Sequence, residues 1–127
     1  MNFNSILIGS EDPKRLADYY SKLFGKPTME DGGDGGYTGW AIGSGWITVG
    51  PHDQVKGRNP QPGRLLWNIE SADVKGDFER FKAAGATVVR EPYDPGEGQE
   101  GMEGMLIATF ADPDDNYFQL MSPMGPM

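Results

Sequence analysis

Apolar residues recur along this chain in two alternating periods. Residues 3–10 alternate, with Ile6 and Ile8 on one face and Phe3, Ser5, Leu7 and Gly9 on the other, which predicts a strand. Ser10, Glu11, Asp12 and Pro13 follow as a helix start, with Asp12 as N-cap and Pro13 at the first helical position. Leu16, Tyr20 and Leu23 then recur at helical spacing, Tyr19 and Phe24 flank them, and Gly25 is the stop. Residues 26–31 form a short edge strand. The Asp-Gly-Gly-Asp-Gly-Gly tract at 31–36 is expected to hold no regular structure, because glycine loses the most backbone freedom on ordering. Residues 37–42 and 46–50 read as a hairpin about Gly43, Ser44 and Gly45, with Ile47 and Val49 alternating with Trp46 and Thr48.

After a polar, proline-bearing linker at 51–63, the order repeats. Residues 64–70 are a strand with Leu65, Trp67 and Ile69 on one face and Leu66, Asn68 and Glu70 on the other. Ser71, Ala72 and Asp73 open a helix carrying Val74, Phe78 and Phe81, and Gly85 ends it. A strand at 87–91, an acidic glycine-rich loop at 93–103 and a hairpin of 104–110 with 116–121 complete the unit, and a loose tail is expected at 122–127. Asp112 to Asn116 supply the last turn. Phe118 and Leu120 share one face of the final strand; Tyr117, Gln119 and Met121 share the other. The chain therefore reads β-α-β-β-β twice, a repeat of pattern more than of letters.

A chain of 127 residues suits one domain, with module one at about 1–50 and module two at about 64–122. The net charge of −8 leaves no basic surplus for a phosphate backbone, so no nucleic-acid partner is expected; it mildly favours a cationic one. The absence of cysteine removes disulfides, thiolate metal sites and a cysteine nucleophile. No apolar run reaches the roughly 20 residues of a membrane span and no signal pattern opens the chain, so a cytoplasmic protein with no membrane partner is expected.

Four stretches in this order resemble the vicinal oxygen chelate superfamily, which includes glyoxalase I, bleomycin-resistance proteins and extradiol dioxygenases. They are the first helix with Tyr19, Tyr20, Leu23, Phe24 and Gly25; the second helix from Asp73 to Gly85; the Phe110-Ala111-Asp112-Pro113-Asp114-Asp115-Asn116 turn; and Gln119-Leu120, where that family often has Glu-Leu. The resemblance implies an α+β fold: two βαβββ modules forming a curled mixed sheet around a concave cavity. It also implies metal seats on four strands, which fall here on Ser5, Leu66, Gln119 and, within a residue or two, Thr48.

None of these four is a good ligand for a divalent transition metal, which takes imidazole, carboxylate or thiolate donors. The one histidine, His52, lies in the linker and reads as a solvated residue. No metal and no other cofactor is therefore expected. By alternation Ser5, Leu7, Thr48, Leu66, Asn68, Glu70, Tyr117 and Gln119 face the cavity, an apolar lining with a few neutral hydrogen-bonding groups that suits a small organic molecule. Trp40 and Trp46 either add stacking surfaces or serve as packing. Glu70 is either a cavity carboxylate or a solvated strand end.

The leading expectation is a metal-free protein that binds a small organic molecule and sequesters, carries or senses it. The bleomycin-resistance relatives supply the pattern, and with it a homodimer. The alternatives are a metal-independent isomerase or lyase using Glu70 or a tyrosine as acid and base, or a structural module without ligand. The tandem triplets at 31–36 and 100–105 are either lengthened lids over the cavity or chance in glycine-rich loops.

Overall fold

The computed structural model describes residues 1–96 and 104–123. The chain divides into two compact units at Arg58 and Asn59. In the first, strand β1 (Ser5–Ser10) leads to helix α1 (Pro13–Phe24), then β2 (Met29–Asp31), β3 (Tyr37–Ile42) and β4 (Gly45–Pro51). The sheet order is β1-β4-β3-β2, with β1 and β4 parallel and the other pairs antiparallel. The second unit repeats this with β5 (Leu66–Glu70), α2 (Val74–Ala83), β6 (Thr87–Tyr93), β7 (Ile107–Ala111) and β8 (Tyr117–Met121), in the order β5-β8-β7-β6. The fold is α+β, built of two βαβββ modules, each with its own four-stranded mixed sheet.

The same local chemistry starts both helices. Ser10 Oγ accepts from the Asp12 backbone N–H at 3.0 Å, and Ser71 Oγ accepts from that of Asp73 at 3.1 Å. The two aspartates then cap their helices, accepting from Arg15 N–H at 3.2 Å and Gly76 N–H at 3.0 Å. Each cap satisfies an amide that the first helical turn leaves without an intrahelical partner. Ser-x-Asp is thus shared by both halves at the same place in each module. Gly25 and Gly85 stop the helices at φ of 87° and 104°, a backbone that side chains other than glycine's disfavour.

Each helix covers one face of its sheet. In the first unit Leu16, Tyr20 and Leu23 are buried with Ile8, Trp40, Ile47 and Val49. In the second Phe78 stacks on Phe110 at 5.5 Å between ring centroids, and Phe81 packs against both Phe110 and Phe118. Counted from Ser10 and Ser71, Tyr20 and Phe81 hold the same place, each with almost no exposure.

One expectation changes in the connections. The 31–36 tract is not devoid of regular structure: Gly33–Gly35 form a single 3₁₀ turn, closed by Gly36 N–H on Gly33 O at 3.0 Å. Positive φ at Gly32 and Gly33 makes that turn accessible to this sequence. The linker carries hydrogen bonds of its own. Gly57 N–H reaches Glu11 at 3.3 Å within the first unit, and Asn59 N–H donates to Asp114 O at 2.7 Å within the second. Residues 100–103 of the second triplet pair, most of the acidic loop's end and the tail from 124 lie outside the described residues. Among the described residues no helix is long and apolar enough to cross a membrane.

Candidate functional site

Residues paired across neighbouring strands share a face of the sheet. In the first unit the face away from α1 carries three rows. Ser5, Trp46 and Ala41 form one, Leu7, Thr48 and Gly39 the next, and Gly9 pairs with Gly50 in the third. Leu7 is 53% exposed and Trp46 and Thr48 are half-buried. Trp46 lies back over the strand bearing Gly39: a Cβ on Gly39 would sit 2.8 Å from the indole. The indole N–H donates to Thr48 Oγ1 at 2.8 Å, which fixes the ring plane. Tyr37 lies in the same way over Gly50. Two aromatic rings are thus laid across glycine positions, giving a flat apolar surface beside a hydroxyl.

Trp40 is not part of this surface. It pairs with Ile47, so it points toward the helix, where it is 1% exposed and meets Tyr20 and Phe24 edge-on at 6.3 Å. Its indole N–H donates to Gly25 O at 3.1 Å and ties the helix end to β3. Of its two expected roles, stacking surface or packing, the structure gives packing: it is a core residue and not a ligand-binding one, because strand parity sets its direction whatever its ring could offer.

In the second unit the corresponding face carries Leu66, Tyr117 and Ala111 in one row and Asn68, Gln119 and Thr109 in the next. Glu70 and Met121 pair in the third. Gln119 Nε2 donates to Thr109 Oγ1 at 3.0 Å. Thr109 is nearly buried, and Glu70 is exposed at the strand end.

The internal repeat settles which residue of β4 corresponds to Gln119. Leu7 and Asn68 each stand three residues before the helix-start serine, and they pair with Thr48 and Gln119 respectively. Thr48 is therefore the partner position of Gln119, and Ser5 that of Leu66. Taken one by one, the residues at these four seats do not fit a divalent metal: each is a hydroxyl, a neutral amide or a hydrocarbon. Among the described residues no group of three or more His, Cys, Asp or Glu is arranged to hold an ion. His52 turns its Nδ1 to the Gln54 N–H at 3.1 Å, and its Cβ packs against Gly9.

A family model described as a glyoxalase-like domain matches residues 5–121, which spans every strand and helix above. The chain belongs to the glyoxalase-like family. With it comes membership of the vicinal oxygen chelate superfamily. A search of curated proteins by sequence finds no match. Solved structures resemble this glyoxalase-like protein in fold. A glyoxalase-related enzyme from Fulvimarina pelagi is 19% identical over 97% of this chain and 88% of its own, with a TM-score of 0.72. TioX from Micromonospora sp. ML1 is 18% identical over 96% and 98%, with a TM-score of 0.72. A glyoxalase/bleomycin resistance protein/dioxygenase family enzyme from Burkholderia phytofirmans PsJN is 18% identical over 96% and 98%, with a TM-score of 0.68.

Sequence reasoning missed Tyr37, Thr109, Arg90 and Tyr93 on these faces. Tyr37 was legible, since it alternates with Trp40 through Gly39 and so shares the open face. Arg90 and Tyr93 were not, because β6 pairs with β7 through register shifts that break alternation.

Proposed function

We propose that this glyoxalase-like protein binds a small organic molecule on the helix-free faces of its sheets without a metal, and holds it instead of converting it. The observation that carries the reading is the pairing of Gln119 with Thr109. Where the resemblance places a metal-binding carboxylate, an uncharged amide stands, its nitrogen donating to an uncharged hydroxyl. The flat Trp46 and Tyr37 surface supports it from the first unit, because apolar area beside a few fixed polar groups is what small-molecule sites consist of. Ser5, Leu7, Thr48, Leu66, Asn68, Tyr117 and Gln119 are the contact residues of this reading, with Glu70 at its edge. It includes no cofactor, no nucleic-acid partner, a cytoplasmic location and a homodimer; Phe3 and Leu65, at 87% and 76% exposure, are apolar side chains that a second copy could cover.

A thermal-shift screen against antibiotics and aromatic metabolites, followed by product analysis of every hit, tests it. Stabilisation without turnover is expected. Turnover lost in Glu70→Gln would instead establish an enzyme.

A further inference from the structure

Strand β6 brings a cation to the helix-free face of the second unit in a way that regular alternation forbids. Thr87 pairs with Ala111 on that face, and Val88 pairs with Phe110 on the helix face. Plain alternation would send Arg90 to the helix side with Val88. A register shift between Val88 and Arg90 pairs Arg90 with Thr109 instead, and so returns it to the open face. From Arg90, plain alternation would then send Tyr93 to the helix side. A second shift, between Arg90 and Tyr93, pairs Tyr93 with Ile107 and returns it as well. An extra residue in one strand is the standard means of re-aiming a side chain.

The two re-aimed residues meet. The Arg90 guanidinium lies 3.4 Å from the centroid of the Tyr93 ring. A guanidinium held at this distance over an aromatic ring has little further freedom to lose when its N–H donors engage a carboxylate in a fork. Among the described residues no carboxylate is paired with it, whereas Lys14, Lys56 and Arg80 each have one. Along the same row stand Thr109, Gln119 and Asn68, one strand spacing (about 4.8 Å) apart. The Thr109 oxygen accepts from Gln119, so its own proton remains to be donated.

We propose that this row is an anion-directed subsite, in which Arg90 on its Tyr93 platform takes the carboxylate of an organic ligand whose uncharged body lies toward Gln119 and Asn68. The inference rests on the small-molecule reading above and names the class of molecule. It runs against the expectation of a cationic partner drawn from the net charge of −8, because the sum over the chain says nothing of the charge at one row. Bulges and an arginine on β6 also serve to protect a sheet edge. That role alone requires neither the stacking on Tyr93 nor the alignment with Gln119.

The test compares 2-naphthoate with its neutral isostere 2-naphthamide. Binding is followed by calorimetry and by the side-chain NMR resonances of Arg90 and Gln119 in wild type, Arg90→Gln and Arg90→Lys. Arg90 is exposed, so both variants are expected to fold, which circular dichroism checks. The wild type is expected to bind the acid about tenfold or more tightly than the amide, with both resonances shifting. Arg90→Gln should erase the preference, and Arg90→Lys should restore only part of it. Equal affinity for acid and amide, or a preference kept in Arg90→Gln, overturns the subsite and leaves small-molecule binding standing. Failure of both probes to bind also overturns it, and a neutral hit in the thermal-shift screen would then keep the broader reading alive.

Discussion

Gln119 gives its side-chain amide to Thr109 across the β7–β8 pair at 3.0 Å, on the row where its counterpart in the first module is Thr48 beside Gly39. The two modules fill the same row differently. One lays a tryptophan over a glycine; the other closes an amide onto a hydroxyl. Truncating one partner and truncating both should therefore differ. Gln119→Leu leaves the nearly buried Thr109 hydroxyl without that partner and should cost about 1–2 kcal/mol of stability. Thr109→Val should cost less, since the half-buried Gln119 amide can turn to water. The double variant should lie near the better single one. Urea melts of the four proteins measure the cycle; strict additivity would show that the bond contributes nothing.

The two tryptophans should separate by phenotype. Trp40→Ala empties the core of the first unit and should cost about 3–5 kcal/mol. Any ligand affinity should survive where the protein still folds. Trp46→Ala should cost less in stability and weaken ligands found in the screen. Gly39→Ala sharpens the point. An alanine in a strand interior ordinarily gains about 0.5–1 kcal/mol over glycine, but here its Cβ would lie 2.8 Å from the indole. The indole must lift, so the tryptophan emission should shift to the red and the gain should vanish. Unchanged emission would mean that the ring does not lie on Gly39.

The Asp112–Asn116 turn carries a separable cost. Asp115 is the one described non-glycine residue with positive φ, at 63°. Asp115→Gly should relieve about 0.5–1 kcal/mol of backbone strain. Asp112 acts in the opposite sense. Its buried carboxylate accepts from the backbone N–H groups of Asp114 and Asn116, both at 2.9 Å, and from Asn116 Nδ2 at 3.0 Å. Asp112→Ala should cost at least about 2–3 kcal/mol, since bonds to a charged acceptor are the stronger kind. Thermal melts check both signs.

Most of the fold was legible because local signals agreed with one another. Asp12 and Asp73 cap where their spacing before Leu16 and Phe78 places a helix start, and Gly25 and Gly85 stop the helices at positive φ. The positive φ of Asp115 was legible from the family resemblance, in which that place in the turn is usually glycine. The direction of Trp40 stayed open, because its parity is fixed by pairing with Ile47 across the hairpin. The row through Arg90 was hidden for a different reason. Its two register shifts are set by pairing with β7, a strand that lies beyond a long connection, and nothing local to residues 87–93 announces them. The 3₁₀ turn at Gly33–Gly35 was hidden because glycine composition describes the cost of order and not which ordered form is reached.

On the reading proposed above, the seats Ser5, Thr48, Leu66 and Gln119 bind no metal and the faces around them bind organic molecules. Calorimetric titration of chelator-treated protein with zinc, manganese, nickel and ferrous ions tests it most directly. No stoichiometric binding of any of the four is expected, and no change in ligand affinity when each is added. Stoichiometric binding of one of these ions, lost in Gln119→Leu, would contradict it.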